Sequence, residues 1–506
     1  MQNILMIHME SWNGRVLGCQ GFHSAMANAT PNIDALAARG THFANAYCTN
    51  PICCPSRANM LSGSYTHECE SWNNFKGLET GMWTYDQELK QTHEVKLLGK
   101  HDDYLTGHHS VMNRVADMLE PLNIVPRPVM NDDSAQDIHV APNRERRFAR
   151  RDWQMFDEAA EFLRKKAAKQ EEAGSGQGSV DDRPFFLCLN PGLVHAAFHT
   201  NEYWLEKIPA DLVDIPPLDD TNHPANVYQL KSKAWRQGLD DETVRLVRRI
   251  YFAMCAEADA AVGELLSTLD ECGLTDNTTV IFSSDHGELA MEHQQYYKMS
   301  HFEGSARVPL IMAGPGIKAG QRIETPVSLI DMAPTICELG GLPQRECFSG
   351  ESLMPLARGE TDKSRGWAHS MYSGVTCNTI SYMLRQDDYK LIVYEGYPSR
   401  LFNVAEDPQE LNDLVETEPE RVARMEKVIS SVVDRIETLR IWEEYRRHTF
   451  AQFQRQAKRG LYWDSSYSLR GNPSSDYKKL MDNTFTGWDE EDEARVNRWL
   501  RREESL

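Results

Sequence analysis

Residues 278–288 read TTVIFSSDHGE, and this stretch carries most of the information about the fold. Its first half is apolar without strict alternation, which is typical of a strand buried on both faces of a sheet. Similar strand patterns occur at 3–7 and 185–190, and helical patterns over 152–169 and 242–269 separate them. This order predicts an α/β fold with a large, mostly parallel or mixed sheet flanked by helices.

The polar residues that follow these strands mark the expected site of chemistry. Ligands of such sheets bind beyond the carboxyl ends of the strands. That rule selects the segments 8–11, 190–199 and 284–288.

The pattern changes after residue 365. Short alternating segments at 382–385 and 389–394 predict a small antiparallel sheet. We therefore expect a catalytic α/β domain at 1–365, a small sheet with a packing helix at 366–440, and a helical extension at 441–506. The extension is expected to wrap the body or to join subunits into a homo-oligomer.

Composition excludes several classes of protein. The 506 residues carry a formal net charge of −21, which argues against a nucleic-acid binder because such proteins need a basic surface. No apolar run is long enough to span a membrane, so no membrane partner is expected. The first strand pattern directly follows Met1, which predicts a cytoplasmic protein, or a periplasmic or secreted one if a leader was removed. Eleven cysteines without a repeating spacing argue against a disulfide scaffold.

The most informative motif is CCPSRANMLSG at residues 53–63. Pro55 suits the first turn of a helix and Gly63 suits its end. Such a helix places Cys53 at its positive N-terminus, beside Arg57. A nucleophile at that point faces the end of the helix that attracts anions.

This motif resembles that of the formylglycine-dependent sulfatases, whose pattern is Cys-x-Pro-Ser-Arg followed by Leu and Gly. The residues that match are Cys53, Pro55, Ser56, Arg57, Leu61 and Gly63. The resemblance implies an alkaline phosphatase-like fold and a Cys53 that a separate formylglycine-generating enzyme oxidises to an aldehyde (3-oxoalanine). In this family the hydrate of that aldehyde attacks sulfur, and Cys54 would be a bystander.

The resemblance also implies a divalent metal. Asp285 and His286 follow a predicted strand and look like the family's ligands, together with position 53. The first strand is followed by Glu10, where the family usually has Asp, and this is the clearest departure from the pattern. Hard oxygen donors favour calcium or magnesium, with calcium the first expectation.

Further catalytic residues follow from matched segments. Lys298 lies in a stretch similar to the one whose lysine binds a sulfate oxygen, and Lys100 matches a lysine that assists the hydrate. The histidine that accompanies this lysine in the family is replaced by Asp102, which leaves His101, His108 and His109 as candidates. His195 takes the place of the histidine that protonates the leaving alcohol, with His199 as an alternative.

The chain resembles most closely a branch of the family implicated in removing the 2-O-sulfate of glucuronate. The matching stretches are 51–57, 70–78, 106–110, 151–154, 253–257 and 283–318. The resemblance implies a sulfated sugar as substrate, with a terminal 2-sulfated uronic acid as the leading expectation. Polar side chains that suit such a sugar are Asn73, Asn74, Lys76, His108, His109, His199 and His301.

Three alternatives stay open at this point. The same nucleophile and Asp-His pair serve phosphonate monoester and phosphodiester hydrolases, and they serve choline sulfatases. A choline sulfatase would need an aromatic box, for which Trp72 and Phe302 are the candidates. An inactive sulfoglycan-binding protein would keep Cys53 as a thiol.

Overall fold

The computed structural model describes residues 2–100, 115, 117–126, 138–174, 183–233, 239–460 and 477–503. The strands are β1 Asn3–Met9, β2 Thr41–Phe43, β3 Ala46–Tyr47, β4 Glu94–Gly99, β5 Ile138–Ala141, β6 Phe185–Asn190, β7 Phe198–Asn201, β8 Thr278–Ser284, β9 Arg307–Val308, β10 Leu310–Ala313, β11 Gln321–Ile323, β12 Val327–Ser328, β13 Trp367–Tyr372, β14 Ser381–Gln386, β15 Tyr389–Tyr394 and β16 Tyr397–Asn403. The α-helices are α1 Pro31–Ala38, α2 Cys53–Ser62, α3 Thr66–Cys69, α4 Tyr85–Leu89, α5 Arg150–Gly174, α6 Glu202–Leu205, α7 Pro224–Lys233, α8 Asp241–Glu271, α9 Glu303–Ala306, α10 Met332–Leu339, α11 Met354–Ala357, α12 Pro419–Val432, α13 Arg435–Lys458, α14 Tyr477–Thr484 and α15 Glu490–Leu500.

The largest sheet has seven strands in the order β11-β2-β10-β8-β1-β6-β4. β1 is paired in parallel with β6 and β8, and β4 with β6, whereas β10 runs antiparallel to both of its neighbours. The prediction of a large mixed sheet is therefore confirmed. Because Met9 lies opposite Ser284, the residues after β1 and β8 emerge side by side.

Helices cover both faces of this sheet. Leu5 and Ile7 of β1 pack on one face with α1, α5 and α8. Ile4 and Met6 point to the other face, where they join α2, α4 and α10. Burial on both sides explains why β1 shows no polar alternation, since each residue leaves water whichever way it points.

The two long predicted helices are present but extend beyond their predicted ends. α5 reaches Gly174, five residues past the predicted end at 169. The run of good helix formers at 170–173 propagates the helix beyond that end.

A separate four-stranded antiparallel sheet, β13-β14-β15-β16, follows the large sheet and confirms the second part of the predicted fold. α12 packs on β14 and β15. The sheet is tied to the main body by a buried ion pair between Lys390 of β15 and Glu303 of α9, at 3.1 Å.

The C-terminal helices pack on the body of the same chain. Phe450, Met481 and Trp499 form an apolar cluster with Leu119 and Leu122. This packing agrees with an extension that wraps the body, and a role in joining subunits stays a prediction. Within the described residues, no helix is both long and apolar enough to cross a membrane.

Candidate active site

Cys53 begins α2, as the motif predicts. The preceding Ile52 is extended, and Gly63 ends the helix in the left-handed conformation with a φ of 71°. The Cys53 thiol is buried, with Sγ 3.2 Å from Nε2 of His286 and 3.4 Å from Oε1 of Glu10. The neighbouring Cys54 donates its backbone N–H to Asn74, which holds this end of the helix in place.

Arg57 and Asp285 form a buried ion pair under Cys53. Their side chains are at most 2% exposed, and Arg57 Nη2 lies 3.0 Å from Asp285 Oδ2. Arg57 also donates to Asn190 at 2.7 Å, while Ser56 donates to the Asp285 carbonyl oxygen. These contacts tie α2 to the ends of β6 and β8. The arrangement is rigid because breaking a buried ion pair leaves one charge uncompensated.

The donor atoms around Cys53 suit a divalent cation. Two groups of ligand atoms, each within 4.8 Å of one another, are Glu10, Cys53 and His195, and Cys53, Asp285 and His286. Nδ1 of His286 lies 3.0 Å from the Gly287 carbonyl oxygen, so it carries the proton and donates it. The lone pair of Nε2 then faces Sγ of Cys53, which is the tautomer that a metal ligand needs.

Glu10 lies between the nucleophile position and the side chains of Lys100 and His195. Its Oε1 is 2.6 Å from Lys100 Nζ and 3.9 Å from His195 Nε2. Burial alone would raise the pKa of Glu10, but the charges of Lys100 and His195 outweigh burial and lower it. Glu10 is therefore held as a carboxylate, the form that can bind a cation.

His195 and Lys298 are in direct contact. Nδ1 of His195 donates to the Ala196 carbonyl oxygen, and Nε2 faces the Lys298 ammonium group. Asp152 shapes the loop before His195 by accepting the Gly192 backbone N–H at 2.6 Å. His195 and Lys298 thus share a proton close to Glu10 and Cys53. Nε2 of His195 is 3.9 Å from Oε1 of Glu10, and ligand atoms of Glu10, Cys53 and His195 lie within 4.8 Å of one another.

These residues lie at the bottom of a cleft of about 760 Å³. Its lining includes four Lys or Arg side chains, of Lys100, Arg151, Lys233 and Lys298, against the acidic Glu10, Asp117 and Asp152. The cleft is locally rich in cations although the chain as a whole carries −21. Such a site favours an anionic ligand.

The structure brings only some of the predicted substrate-binding residues to this cleft. Asn74 and His199 line it. Asn73 does not, because its side chain accepts the Phe75 N–H at 3.0 Å and shapes the local turn. Lys76 is turned toward Glu70, 3.0 Å away. His301 is enclosed near the small sheet, where burial lowers its pKa to about 3.

Other candidates fall elsewhere. His101, Asp102, His108 and His109 lie outside the described residues. The aromatic-box candidates are both in the core: Trp72 packs against the small sheet, and Phe302 stacks on His293 with ring centroids 3.6 Å apart. Neither is part of the cleft lining among the described residues.

Sequence reasoning missed several lining residues, among them Lys233, Asp117, Thr376 and Met299. Lys233 ends α7, a helix whose sequence carried no motif. Asp117 lies in a helical segment and Thr376 in a turn, far apart in the chain. Arg151 had a signal, since it begins one of the stretches that match the family branch.

Comparison with known proteins agrees with this geometry. The family model described as Sulfatase matches residues 2–342, and the C-terminal model of N-sulphoglucosamine sulphohydrolase matches residues 291–441. Arylsulfatase K of Homo sapiens is 36% identical over 486 residues, covering 89% of this chain and 86% of the relative. Arylsulfatase K of Danio rerio is 34% identical over 523 residues, covering 96% and 95%.

Solved structures show the same fold. A phosphonate monoester hydrolase of Agrobacterium radiobacter superposes with a TM-score of 0.65 at 20% identity, covering 87% of this chain and 96% of that chain. A 2-O GAG sulfatase superposes with a TM-score of 0.62 at 20% identity, covering 96% and 98%. At this identity the likeness supports the fold alone, whereas the family model and the relatives identify the kind of protein. The chain belongs to the sulfatase family and is a sulfuric ester hydrolase.

Proposed function

We propose that this sulfatase removes the 2-O-sulfate from a terminal uronic acid, of the glucuronate 2-sulfate type, with formylglycine at position 53 as its nucleophile. The observation that carries the proposal is the position of Cys53. It lies at a helix N-terminus at the bottom of the cleft, with carboxylates, His286 and Lys100 around it.

The choice of substrate has two supports. The arylsulfatase K relatives cover most of the chain, and a 2-O GAG sulfatase is among the solved structures with this fold. In addition, a uronic acid sulfate carries two anions, and the cleft offers cations at two places. Lys298 contacts His195, which lies within 4.8 Å of Cys53, while Arg151 lies at the more exposed part of the lining. Arginine suits a carboxylate because its planar guanidinium group binds both oxygens.

A divalent cation, with calcium as the first choice and magnesium as the second, would be held by Glu10, Asp285, His286 and an oxygen at position 53. When bound, it would supply positive charge that lowers the pKa of the nucleophile and attracts the sulfate group. In the structure position 53 is still a cysteine, so Sγ stands in for the oxygens of the hydrated aldehyde.

The chain's own residues divide the remaining work. One hydroxyl group of the hydrate loses its proton to water, and its oxygen attacks sulfur while the bond from sulfur to the sugar oxygen breaks. His195 gives the leaving oxygen a proton, and Arg57, Lys100 and Lys298 balance charge at the sulfate oxygens. The remaining hydroxyl group of the adduct then passes its proton to water, the bond from carbon to the sulfate oxygen breaks, and the aldehyde forms as sulfate leaves. Water adds to the aldehyde and restores the hydrate, and His195 regains a proton from water.

The proposal includes one protein partner. A formylglycine-generating enzyme must bind the segment around Cys53 transiently, before it folds into the buried position described above. The thiol lies at 2% exposure in the folded chain, so the modification is expected to precede folding.

The test is a comparison of kcat/KM across a substrate panel on fully modified protein. The panel contains glucuronate 2-sulfate, iduronate 2-sulfate, glucosamine 6-sulfate, 4-nitrophenyl sulfate, choline sulfate and an aryl phosphodiester. The proposal expects glucuronate 2-sulfate to be turned over best. Preference for choline sulfate or for the phosphodiester would replace it with one of those activities, and binding without turnover of any ester would indicate a binding protein.

A further inference from the structure

Lys298 lies in a loop whose backbone is strained. Tyr297 and Met299, on either side of it, have φ values of 64° and 76°, in the left-handed region that side chains other than glycine rarely adopt. Such a conformation is strained and persists only where neighbours hold it. Something must therefore fix this loop so that the Lys298 ammonium group stays against His195.

The holding contacts come from α7 and from the segment before Cys53. Gln229 Nε2 donates to the Met299 carbonyl oxygen at 2.7 Å, and the Lys233 ammonium group donates to the Lys298 carbonyl oxygen. Residues 229 and 233 are four apart and so project from the same face of the helix. On the other side, the Met299 N–H donates to the Pro51 carbonyl oxygen at 3.1 Å. The loop is therefore held at two consecutive peptide groups. One of its partners, Pro51, precedes Cys53 by two residues in the sequence.

Burying the charged side chain of Lys233 at this position is energetically unfavourable. Its side chain is 1% exposed, and burial lowers its pKa to about 7, against the opposing charge of Glu288 and aided by the like charge of Lys298. An apolar residue of similar length would avoid placing a second ammonium group beside the first. The hydrogen bond to the Lys298 carbonyl oxygen is the contact in the structure that explains why a lysine stands at position 233.

We propose that Lys233 and Gln229 are positioning residues, which hold the strained loop so that Lys298 meets a sulfate oxygen of the substrate beside His195. This inference rests on sulfate ester hydrolysis and on the proposed role of Lys298. It assigns to α7 a part in catalysis that acts through Lys298.

The test is a pair of double-mutant cycles with 4-nitrophenyl sulfate. Lys233→Met and Gln229→Met should each lower kcat/KM by about 10- to 100-fold, because the ammonium group of Lys298 is no longer fixed. In a Lys298→Ala background the same substitutions should change kcat/KM by less than about threefold, since there is nothing left to position. Equal losses in both backgrounds would overturn the proposal.

Tyr228→Phe is the matched control. It removes a hydrogen bond of 2.8 Å from the same helix to the carbonyl oxygen of Ile124, which does not belong to the loop. If loosening of α7 alone explained the losses, Tyr228→Phe would show the same loss. The proposal expects kcat/KM of this variant to stay within about threefold of the unsubstituted protein.

A second measurement separates this proposal from the proposed function. Inorganic sulfate should raise the unfolding temperature of the unsubstituted protein and of Tyr228→Phe, because bound ligand stabilises the folded state. Lys233→Met, Gln229→Met and Lys298→Ala should lose most of that shift. A chain that cleaves no sulfate ester would defeat the proposed function, yet this readout would still decide the positioning role. A full sulfate shift in Lys233→Met and Gln229→Met would overturn it.

Discussion

The floor and the wall of the cleft are built in different ways. We define the floor as Glu10 and Cys53, which line the cleft, together with Arg57, Asp285 and His286 buried behind them, and the wall as the lining residues Asn74, Phe75, Arg151, His199 and Thr376. The floor residues follow strands β1 and β8 or begin α2, so each is fixed by regular structure. The wall residues, apart from Arg151 in the first turn of α5 and His199 in the short β7, stand in loops from distant parts of the chain. The proposed chemistry is thus placed at the ends of strands and of a helix, and the proposed substrate contacts stand mostly on loops.

The largest expected effect is on the floor. Arg57→Met should lower kcat/KM by about a thousandfold or more, since Asp285 loses its partner and the sulfate loses a cation. It should also lower the free energy of unfolding by about 3–5 kcal/mol, because a buried carboxylate is left uncompensated. Kinetics and urea unfolding measure the two effects.

Arg365→Met is the control for that variant. Arg365 and Asp331 also form a largely buried ion pair, at 2.8 Å, but neither belongs to the group of side chains around Cys53. The control should lose stability and keep its kcat. An equal loss of activity in both variants would mean that the floor acts only through stability.

The next effect lies where floor and wall meet. His195→Ala should lower kcat for a sugar sulfate by about 100-fold or more, but much less for 4-nitrophenyl sulfate, since 4-nitrophenolate leaves without a proton. His199→Ala removes a lining imidazole farther from Cys53 and should affect KM more than kcat. If kcat of His199→Ala fell for the sugar sulfate but much less for 4-nitrophenyl sulfate, His199 rather than His195 would be the proton donor.

A smaller effect is expected on the wall. Arg151→Ala should raise KM for glucuronate 2-sulfate by about tenfold, through loss of one charged hydrogen bond, and leave 4-nitrophenyl sulfate unaffected. Arg150→Ala is the matched control, because Arg150 pairs with Glu145 at 2.9 Å and does not line the cleft. If Arg151→Ala changed KM equally for glucuronate 2-sulfate and for 4-nitrophenyl sulfate, Arg151 would not be the residue that binds the carboxylate.

The smallest effect concerns the scaffold, away from floor and wall. Burial raises the pKa of Glu257 to about 7, although its Oε1 accepts from the Ala149 N–H and the Trp153 indole. The folded protein therefore binds a proton there between about pH 4.5 and 7 that the unfolded chain releases, and stability falls as pH rises through this range.

Glu257→Gln keeps the acceptor oxygen and removes the titration. The free energy of unfolding of the variant minus that of the unsubstituted protein should be more positive at pH 8 than at pH 5. The variant's kcat/KM should be unchanged. Urea unfolding at the two pH values measures the difference. A pH-independent difference would show that Glu257 keeps an ordinary pKa.

The floor and the wall also differ in how well their residues could be predicted from the sequence. The start of α2 follows from Pro55 and Gly63, and the meeting of Glu10 with Asp285 follows from strands β1 and β8 being neighbours. Asn74 and His199 of the wall were predicted, but Phe75, Arg151 and Thr376 were not, because only tertiary packing brings them to the cleft. Lys76 and His301 illustrate this, since a local ion pair and burial in the core take them away from the cleft.

The most direct test of the account is peptide mass spectrometry across Cys53, on protein made together with a formylglycine-generating enzyme, paired with sulfate release from glucuronate 2-sulfate. The account predicts an aldehyde at position 53 and turnover that Cys53→Ala abolishes. An unmodified thiol in protein that still releases sulfate would contradict it, because the nucleophile would then have to be another group in the cleft.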